Sequence, residues 1–294
     1  MRFIFIGSVL FSKSLLSHML NKNYNIVGVQ TKKNSNFNSD HYDLKKICIK
    51  KKIPCRYANN INNNKSISWM KKLKPDLILC LGWSSLLNNK VLKIPPNGTI
   101  GFHPTKLPLN RGRHPIIWAL ALGMKETACT FFYMNAKADT GKIIAQKKIK
   151  ISNIDNATSL YKKIILSSKK LIDNFLPKLK KKNNLYFNFK NKKLSNYWRK
   201  RSHIDGKIDW RMSAQSINNL VKSLSYPYPY AHFIYNKKVI KVIKTKISKS
   251  SLKNIEPGKV ISDKNKILIV KCGENAIRII KTYPKIKLKL NMYL

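Results

Sequence analysis

The feature that most limits how this chain can fold is an alternation, repeated over its first third, of short apolar runs with amphipathic stretches. Arg2 to Ile6 is apolar and β-prone and breaks at Gly7-Ser8. A helical pattern follows to Asn21, with Leu15, Leu16 and Leu20 on one face and Ser12 placed to cap it. Tyr24 to Thr31 (YNIVGVQT) and Ile53 to Tyr57 read as the second and third strands, separated by a polar loop over 32–42 and a helix near 43–51. Ser66 to Leu73 is helical, Pro75 to Trp83 (PDLILCLGW) is a buried strand, 84–93 a helix, and Thr99 to His103 the next strand. This order predicts an α/β, Rossmann-like, doubly wound and mainly parallel sheet. In such sheets ligands bind beyond the carboxyl ends of the strands. Gly7-Ser8, Gly82-Trp83 and His103-Pro104 all fall at those ends.

Further along, Ile116 to Leu122 is helical, Thr127 to Met134 and Lys142 to Ile151 are strands, and Ala157 to Lys182 is a long amphipathic helix. Short strands then recur at Ala231–Tyr235, Val239–Ile243, Gly258–Ile261, Ile267–Lys271 and Ala276–Ile280, the spacing of a small β-barrel. A chain of 294 residues suits two domains. The expected division is a first domain over 1–182, an Asn/Lys-rich linker over 183–206 and a barrel over 207–294.

Several classes of chemistry lack their machinery. The first turn reads GSVLFS, not GxGxxG, and no GxxxxGK[ST] is present, so dinucleotide binding and phosphoryl transfer are poorly supported. The five cysteines are irregularly spaced, with no CxxC and no HExxH, which argues against structural zinc and for reduced thiols in a cytoplasmic protein. No run approaches the ~18 apolar residues of a membrane span. The opening MRFIFIGSVLF reads as a first strand rather than a signal peptide. Lys and Arg number 59 against 12 acids, a net charge of +47. Such a charge draws anions and points to nucleic acid or phosphate-bearing substrates. The same Lys/Asn enrichment also arises from AT-rich coding sequence.

Two residues stand out as candidates. His103 ends a buried strand and enters GFHPTKLPLNRGRHP, where Pro104, Pro108 and Pro115 stiffen the backbone. By itself it reads first as a histidine hydrogen-bonded into a turn; the rigid loop shifts the reading towards a preorganised ligand wall. Arg111 and Arg113 flank Gly112 and could grip a carboxylate or phosphate, or could be plain surface charge. Asp139, in KADTG, is a turn former or the partner of His103. A carboxylate beside an imidazole orients it and favours its charged form, making a general acid–base unit.

At this point HPTKLPLNRGRHPIIWAL, ETACTFFYM, ADTGKIIAQ and FIGSVLFS together resemble the 10-formyltetrahydrofolate-dependent formyltransferases, the group of methionyl-tRNA formyltransferase and the sugar N-formyltransferases. HIDGKIDWRMSAQSINNLVKSLSYPYPYAHFIYN and the segment after EPGKV are similar to that family's small C-terminal OB-like β-barrel. The resemblance implies an enzyme moving a formyl group from 10-formyltetrahydrofolate, as cosubstrate, to a primary amine, with no metal. It implies His103 and Asp139 as catalytic residues. It assigns Thr105, Lys106, Leu107 and Pro108 to the folate wall, and Leu81, Gly82 and Trp83 to the pterin pocket.

One departure is Gly101, which stands where the family has an asparagine; Asn97, Asn110 or a backbone N–H would have to replace that donor. The transfer-RNA members carry a basic glycine-containing loop after the second strand, and here that region reads QTKKNSNFNSDHYDLKK. This favours a small amine acceptor, such as a nucleotide-linked amino sugar, with Arg111 and Arg113 on its anion. The charge and the barrel favour initiator methionyl-tRNA instead, and the glycine leaves room for a folate- or RNA-binding relative without catalysis.

Overall fold

A computed structural model describes residues 1–181, 195–252, 254–262 and 268–294. The described residues form two compact units. The first comprises Met1–Pro115, Thr127–Lys150 and Lys162–Trp198; the second comprises Ile116–Glu126, Ile151–Tyr161 and Arg199–Leu294.

The first unit is built on a seven-stranded sheet. Its strands are β1 (Phe3–Ile6), β2 (Ile26–Thr31), β3 (Cys55–Tyr57), β4 (Leu77–Cys80), β5 (Thr99–His103), β7 (Glu126–Tyr133) and β8 (Ile143–Lys150), in the order β3-β2-β1-β4-β5-β7-β8. The first five run parallel and β7 is antiparallel to β5, with His103 opposite Thr130. The apolar runs FIFI and LILC are buried along their whole length, as strands covered on both faces must be. Helices α1 (Leu10–Asn21), α2 (Lys45–Lys50), α3 (Asn64–Lys72) and α4 (Asn89–Leu92) fill the connections. A two-residue strand β6 (Arg111–Gly112) pairs parallel with β9 (Tyr197–Trp198).

Two boundaries differ from expectation, each for a local reason. Helix α1 starts before Ser12, not at it. The Ser12 hydroxyl accepts from the Val9 N–H at 3.2 Å and donates to the Leu81 carbonyl at 2.6 Å, so the serine serves from inside the first turn. The helix expected over 84–93 shrinks to α4, capped by Asn88, whose side chain accepts from the Val91 N–H. The carbonyls of Ser84 and Leu86 are taken by side chains of Arg113 and Asn62 instead, which removes them from any helical ladder.

In the second unit, β10 (Ala231–Tyr235), β11 (Lys238–Ser248), β12 (Val260–Ser262), β13 (Leu268–Lys271) and β14 (Ala276–Tyr283) form an antiparallel, OB-like half-barrel sheet in the order β10-β11-β14-β13-β12. Helix α5 (Pro115–Ala121) falls in this unit from Ile116 on, while α6 (Ala157–Lys181) starts in it and from Lys162 on belongs to the first unit. Helix α7 (Ala214–Ser223), absent from the sequence reading, is capped by Ser213, which accepts from the Ser216 N–H. Its Ile217, Leu220 and Val221 join Phe233, Ile240, Val242, Val270 and Ile277 in one core. Of the expected linker, 183–194 lies outside the described residues. Among the described residues no helix is long and apolar enough to cross a membrane.

Candidate active site

Strand β5 delivers His103 to the carboxyl end of the sheet, where its side chain is almost wholly enclosed. Its Nε2 lies 2.9 Å from the carbonyl oxygen of Asn110. A carbonyl only accepts, so this nitrogen donates. Nδ1 faces Asp139 Oδ1 at 3.7 Å, within ion-pair reach but longer than a hydrogen bond. A contact of this length can tighten when a ligand closes a site. The other Asp139 oxygen accepts from the Gly112 N–H at 3.0 Å. His103 and Asp139, remote in sequence, thus meet, and the 110–112 backbone binds both.

The DTG turn explains how the carboxylate is held. Asp139 takes a left-handed conformation, φ +53°, which aspartate tolerates better than most residues. The Thr140 hydroxyl donates to Asn135 Oδ1 at 2.8 Å. A Cβ on Gly141 would sit 1.5 Å from the Tyr133 carbonyl oxygen, so only glycine fits where the chain turns into β8.

The 105–108 segment is strapped to β7 and β8. Gln146 donates to the Leu107 carbonyl at 3.0 Å, the Thr127 hydroxyl to the Pro104 carbonyl at 2.8 Å and the Thr105 hydroxyl to the Leu109 carbonyl at 3.1 Å. The Lys106 carbonyl accepts from the Leu109 N–H, and the Leu107–Pro108 peptide is cis. Leu107 is buried with Phe132 and Ile143. At the end of β4, Leu81 is buried and gives its carbonyl to Ser12, while the Gly82 carbonyl accepts from the Ser8 N–H. Trp83 Nε1 is buried without a hydrogen-bond partner among the described residues. A buried indole N–H normally finds an acceptor, and a bound heterocycle could supply one. That orphan donor, on an indole packed against the apolar cluster of Ile4, Ile6, Ile78 and Cys80, fits a heterocycle such as a pterin. Cys80, in this cluster, is pushed up to about 12 by burial and stays a thiol.

The two arginines have different partners. Arg111 lies over the Tyr197 ring, 5.6 Å from its centroid, and donates to the Tyr197 hydroxyl. Arg113 donates to the Ser84 carbonyl at 2.7 Å and covers Phe37, 5.5 Å from its centroid.

The position of Gly101 has a steric reason. A Cβ there would meet Met134 Cγ at 2.8 Å and Phe132 Cζ at 3.1 Å, so Met134 occupies the space a longer side chain would need. Asn97 cannot replace the missing donor: it precedes β5 and lies at the strand's other end, roughly 20 Å from His103. Asn110 meets His103 through its backbone carbonyl, an acceptor, and gives its N–H to Asn196 Oδ1, so its backbone does not replace the missing donor.

Residues 1–175 match the family described as Formyl transferase, and residues 200–293 match Formyl transferase, C-terminal domain. The bifunctional polymyxin resistance protein ArnA of Wigglesworthia glossinidia brevipalpis is 38% identical over 238 residues, 81% of this chain but only 36% of that protein. The chain therefore spans about a third of the length of this relative. Among solved structures, the N-formyltransferase from Helicobacter canadensis in complex with folinic acid and dTDP-3-aminofucose superposes with a TM-score of 0.71 at 19% identity, covering 96% of this chain and 99% of the other. WlaRD, a sugar 3N-formyl transferase solved in the presence of dTDP and 5-N-formyl-THF, gives 0.70 at 19% identity, with 97% and 99% covered. HypX from Aquifex aeolicus, in complex with tetrahydrofolic acid, gives 0.67 at 16%, covering 96% of this chain and 44% of its own. With both of its halves matched in order and the fold shared along nearly its whole length, the chain belongs to the formyl transferase family.

Proposed function

We propose that this chain transfers a formyl group from 10-formyltetrahydrofolate to the primary amine of a nucleotide-linked amino sugar. The observation that carries the reading is the convergence of His103 and Asp139 at the carboxyl end of the sheet, 3.7 Å apart and tied to one loop. The ligands of the sugar N-formyltransferases described above support both the donor and the acceptor class. In this reading the catalytic domain is 1–182, the linker 183–206 and the C-terminal domain 207–294.

Leu81, Gly82, Trp83 and the Thr105–Pro108 wall would hold the folate, which when bound supplies the activated formyl group. Attack by an amine on a formyl carbon builds negative charge on oxygen and positive charge on nitrogen. His103 would give its Nε2–H to that oxygen in exchange for the Asn110 carbonyl that takes it in the free chain. Asp139 faces the ring and accepts the proton that the amine must lose, which passes to the folate nitrogen as its bond to the formyl carbon breaks. Gly112, through its N–H, keeps the carboxylate turned toward the ring. Until the formyl oxygen arrives, the Asn110 carbonyl holds the His103 N–H and keeps the ring plane oriented.

The test is a panel of amines with 10-formyltetrahydrofolate: nucleotide-linked amino sugars, free amino sugars and charged initiator tRNA. Formylation of a nucleotide amino sugar is expected. Transfer to the tRNA alone, or to no amine while folinic acid still binds, refutes the proposal.

A further inference from the structure

We infer that the segment Asn196–Trp198 braces the loop that holds the reacting pair, and that Asn196 is a positioning residue for the transfer. The stretch from Asn110 to Arg113 reaches the pair through two backbone groups: the Asn110 carbonyl accepts from His103 Nε2, and the Gly112 N–H donates to Asp139. The other backbone N–H groups of the stretch all turn to one neighbour. The Asn110 N–H donates to Asn196 Oδ1 at 2.7 Å, the Arg111 N–H to the Asn196 carbonyl at 3.0 Å and the Arg113 N–H to the Trp198 carbonyl at 3.0 Å. The last two bonds belong to the parallel pairing of β6 with β9, in which Arg111 stands opposite Tyr197 and Gly112 opposite Trp198. With its flanking donors spent on β9, the stretch is left with the Gly112 N–H pointing at the carboxylate and the Asn110 carbonyl pointing at the imidazole.

Local sequence is fitted to the brace. A Cβ on Gly112 would lie 2.4 Å from the Trp198 carbonyl oxygen, so a bare glycine is what lets β9 approach. Gly112 has φ +100° and Asn110 φ +60°, both in the left-handed region. Such conformations persist where the surroundings over-determine them, and here the surroundings are β9 on one side and the reacting pair on the other. The Thr105–Pro108 wall is held separately, by Gln146 and Thr127 from β8 and β7. Loosening the brace should therefore disturb the pair and spare the wall. Displacement of a reacting group by about 1 Å can cost ~100-fold in rate, so a side chain that touches no reacting atom can still set turnover. Residues 196–198 fall between the two family matches, 1–175 and 200–293, and the brace is read from this chain alone.

This inference rests on the function proposed above, and two readouts on the full chain keep the two apart. The first needs no reaction: ¹⁵N NMR of the imidazole nitrogens reports the setting of His103 in the free chain. Asn196→Ala removes the acceptor for the Asn110 N–H and, because Asn196 is exposed, leaves no cavity. It should move the His103 signals, and Asn196→Asp, which keeps an acceptor oxygen there, should return them. The second readout is single-turnover formyl transfer to the amine that the panel identifies. Asn196→Ala should slow it at least ~5-fold, the scale of one hydrogen bond, with the KM for the amine and the affinity for folinic acid within about 2-fold of the parent chain. Asn196→Asp should restore the rate. Gly112→Ala, whose Cβ displaces the Trp198 carbonyl, should slow transfer further. Unmoved His103 signals in Asn196→Ala refute the brace whatever the rate, and so does a normal rate in Gly112→Ala. If the Asn196→Ala rate falls only together with folinic acid affinity and melting temperature, and Asn196→Asp rescues none of them, Asn196 serves stability alone and the inference is overturned. If the His103 signals respond as expected but the parent chain formylates no amine, the brace stands and the proposed reaction falls.

Discussion

The His103–Asp139 pair is held by a few contacts, and each residue makes a separable prediction. His103→Ala should lower turnover at least ~100-fold, the usual scale of a lost acid–base group, with folinic acid binding retained. Asp139→Asn keeps the shape but removes the charge and should cost a similar factor; single-turnover rates check both, and near-normal rates in the two variants sink the assignment. Gly101 makes a packing prediction. Gly101→Ala puts a Cβ against Met134 and Phe132 and should destabilise the protein by about 1–3 kcal/mol, the range for overpacked cores. Met134→Ala should relieve part of that loss. Urea unfolding of the single and double variants measures it, and simple additivity would contradict the proposed contact. At this scale His103 and Asp139 could be found from a strand end and a DTG turn. The Asn110 carbonyl, the Gln146 strap and the filling of space by Met134 could not, because backbone acceptors and the neighbours of a cavity leave no pattern along a chain.

Among elements, the parallel sheet was readable because FIFI and LILC are short, wholly apolar and set between turn residues. Helix α7 was missed although its signals are present: Ser213 as cap, and Ile217, Leu220, Val221 and Leu224 at helical spacing. Leu220→Ala should destabilise the protein by about 2–5 kcal/mol through the cavity it leaves in the second unit's core, as thermal or urea melting would show. The half-barrel also contains a pH-sensitive point. His232 is held below the ordinary histidine value, first by burial, then by His203, whose ring centroid is 4.2 Å away, and by Lys207. The unfolded chain therefore binds this proton more readily than the fold does. Stability should be constant above about pH 6.5, fall as pH drops below that value, and level off once the folded histidine is also protonated. His203→Asn should make the fall shallower without abolishing it, since burial is the larger cause. Melting temperatures across pH 7.5 to 5 test this, and an unchanged slope in the variant would remove His203 from the account.

For the whole molecule the dominant fact is a charge of +47. It is concentrated in places by the fold: β11 and β14 set Lys246 opposite Arg278 and Lys244 opposite Lys281. Like charges directly across a ladder repel, and a strong net charge works against the compact state. Added salt, which shortens the screening length from about 30 Å at 0.01 M to about 8 Å at 0.15 M, should raise the melting temperature. A flat response between those concentrations would show that the repulsion is already compensated.

The short stretch from Asn110 to Arg113 has a larger meaning than its length suggests. Its carbonyl fixes the imidazole, its amide fixes the carboxylate, and its guanidinium rests on Phe37. The His103–Asp139 pair and the Phe37 ring are therefore tied to one short piece of backbone. Any change in this stretch would disturb the geometry of the pair together with the packing over Phe37, whereas a change at Phe37 itself leaves both of the stretch's hydrogen bonds in place.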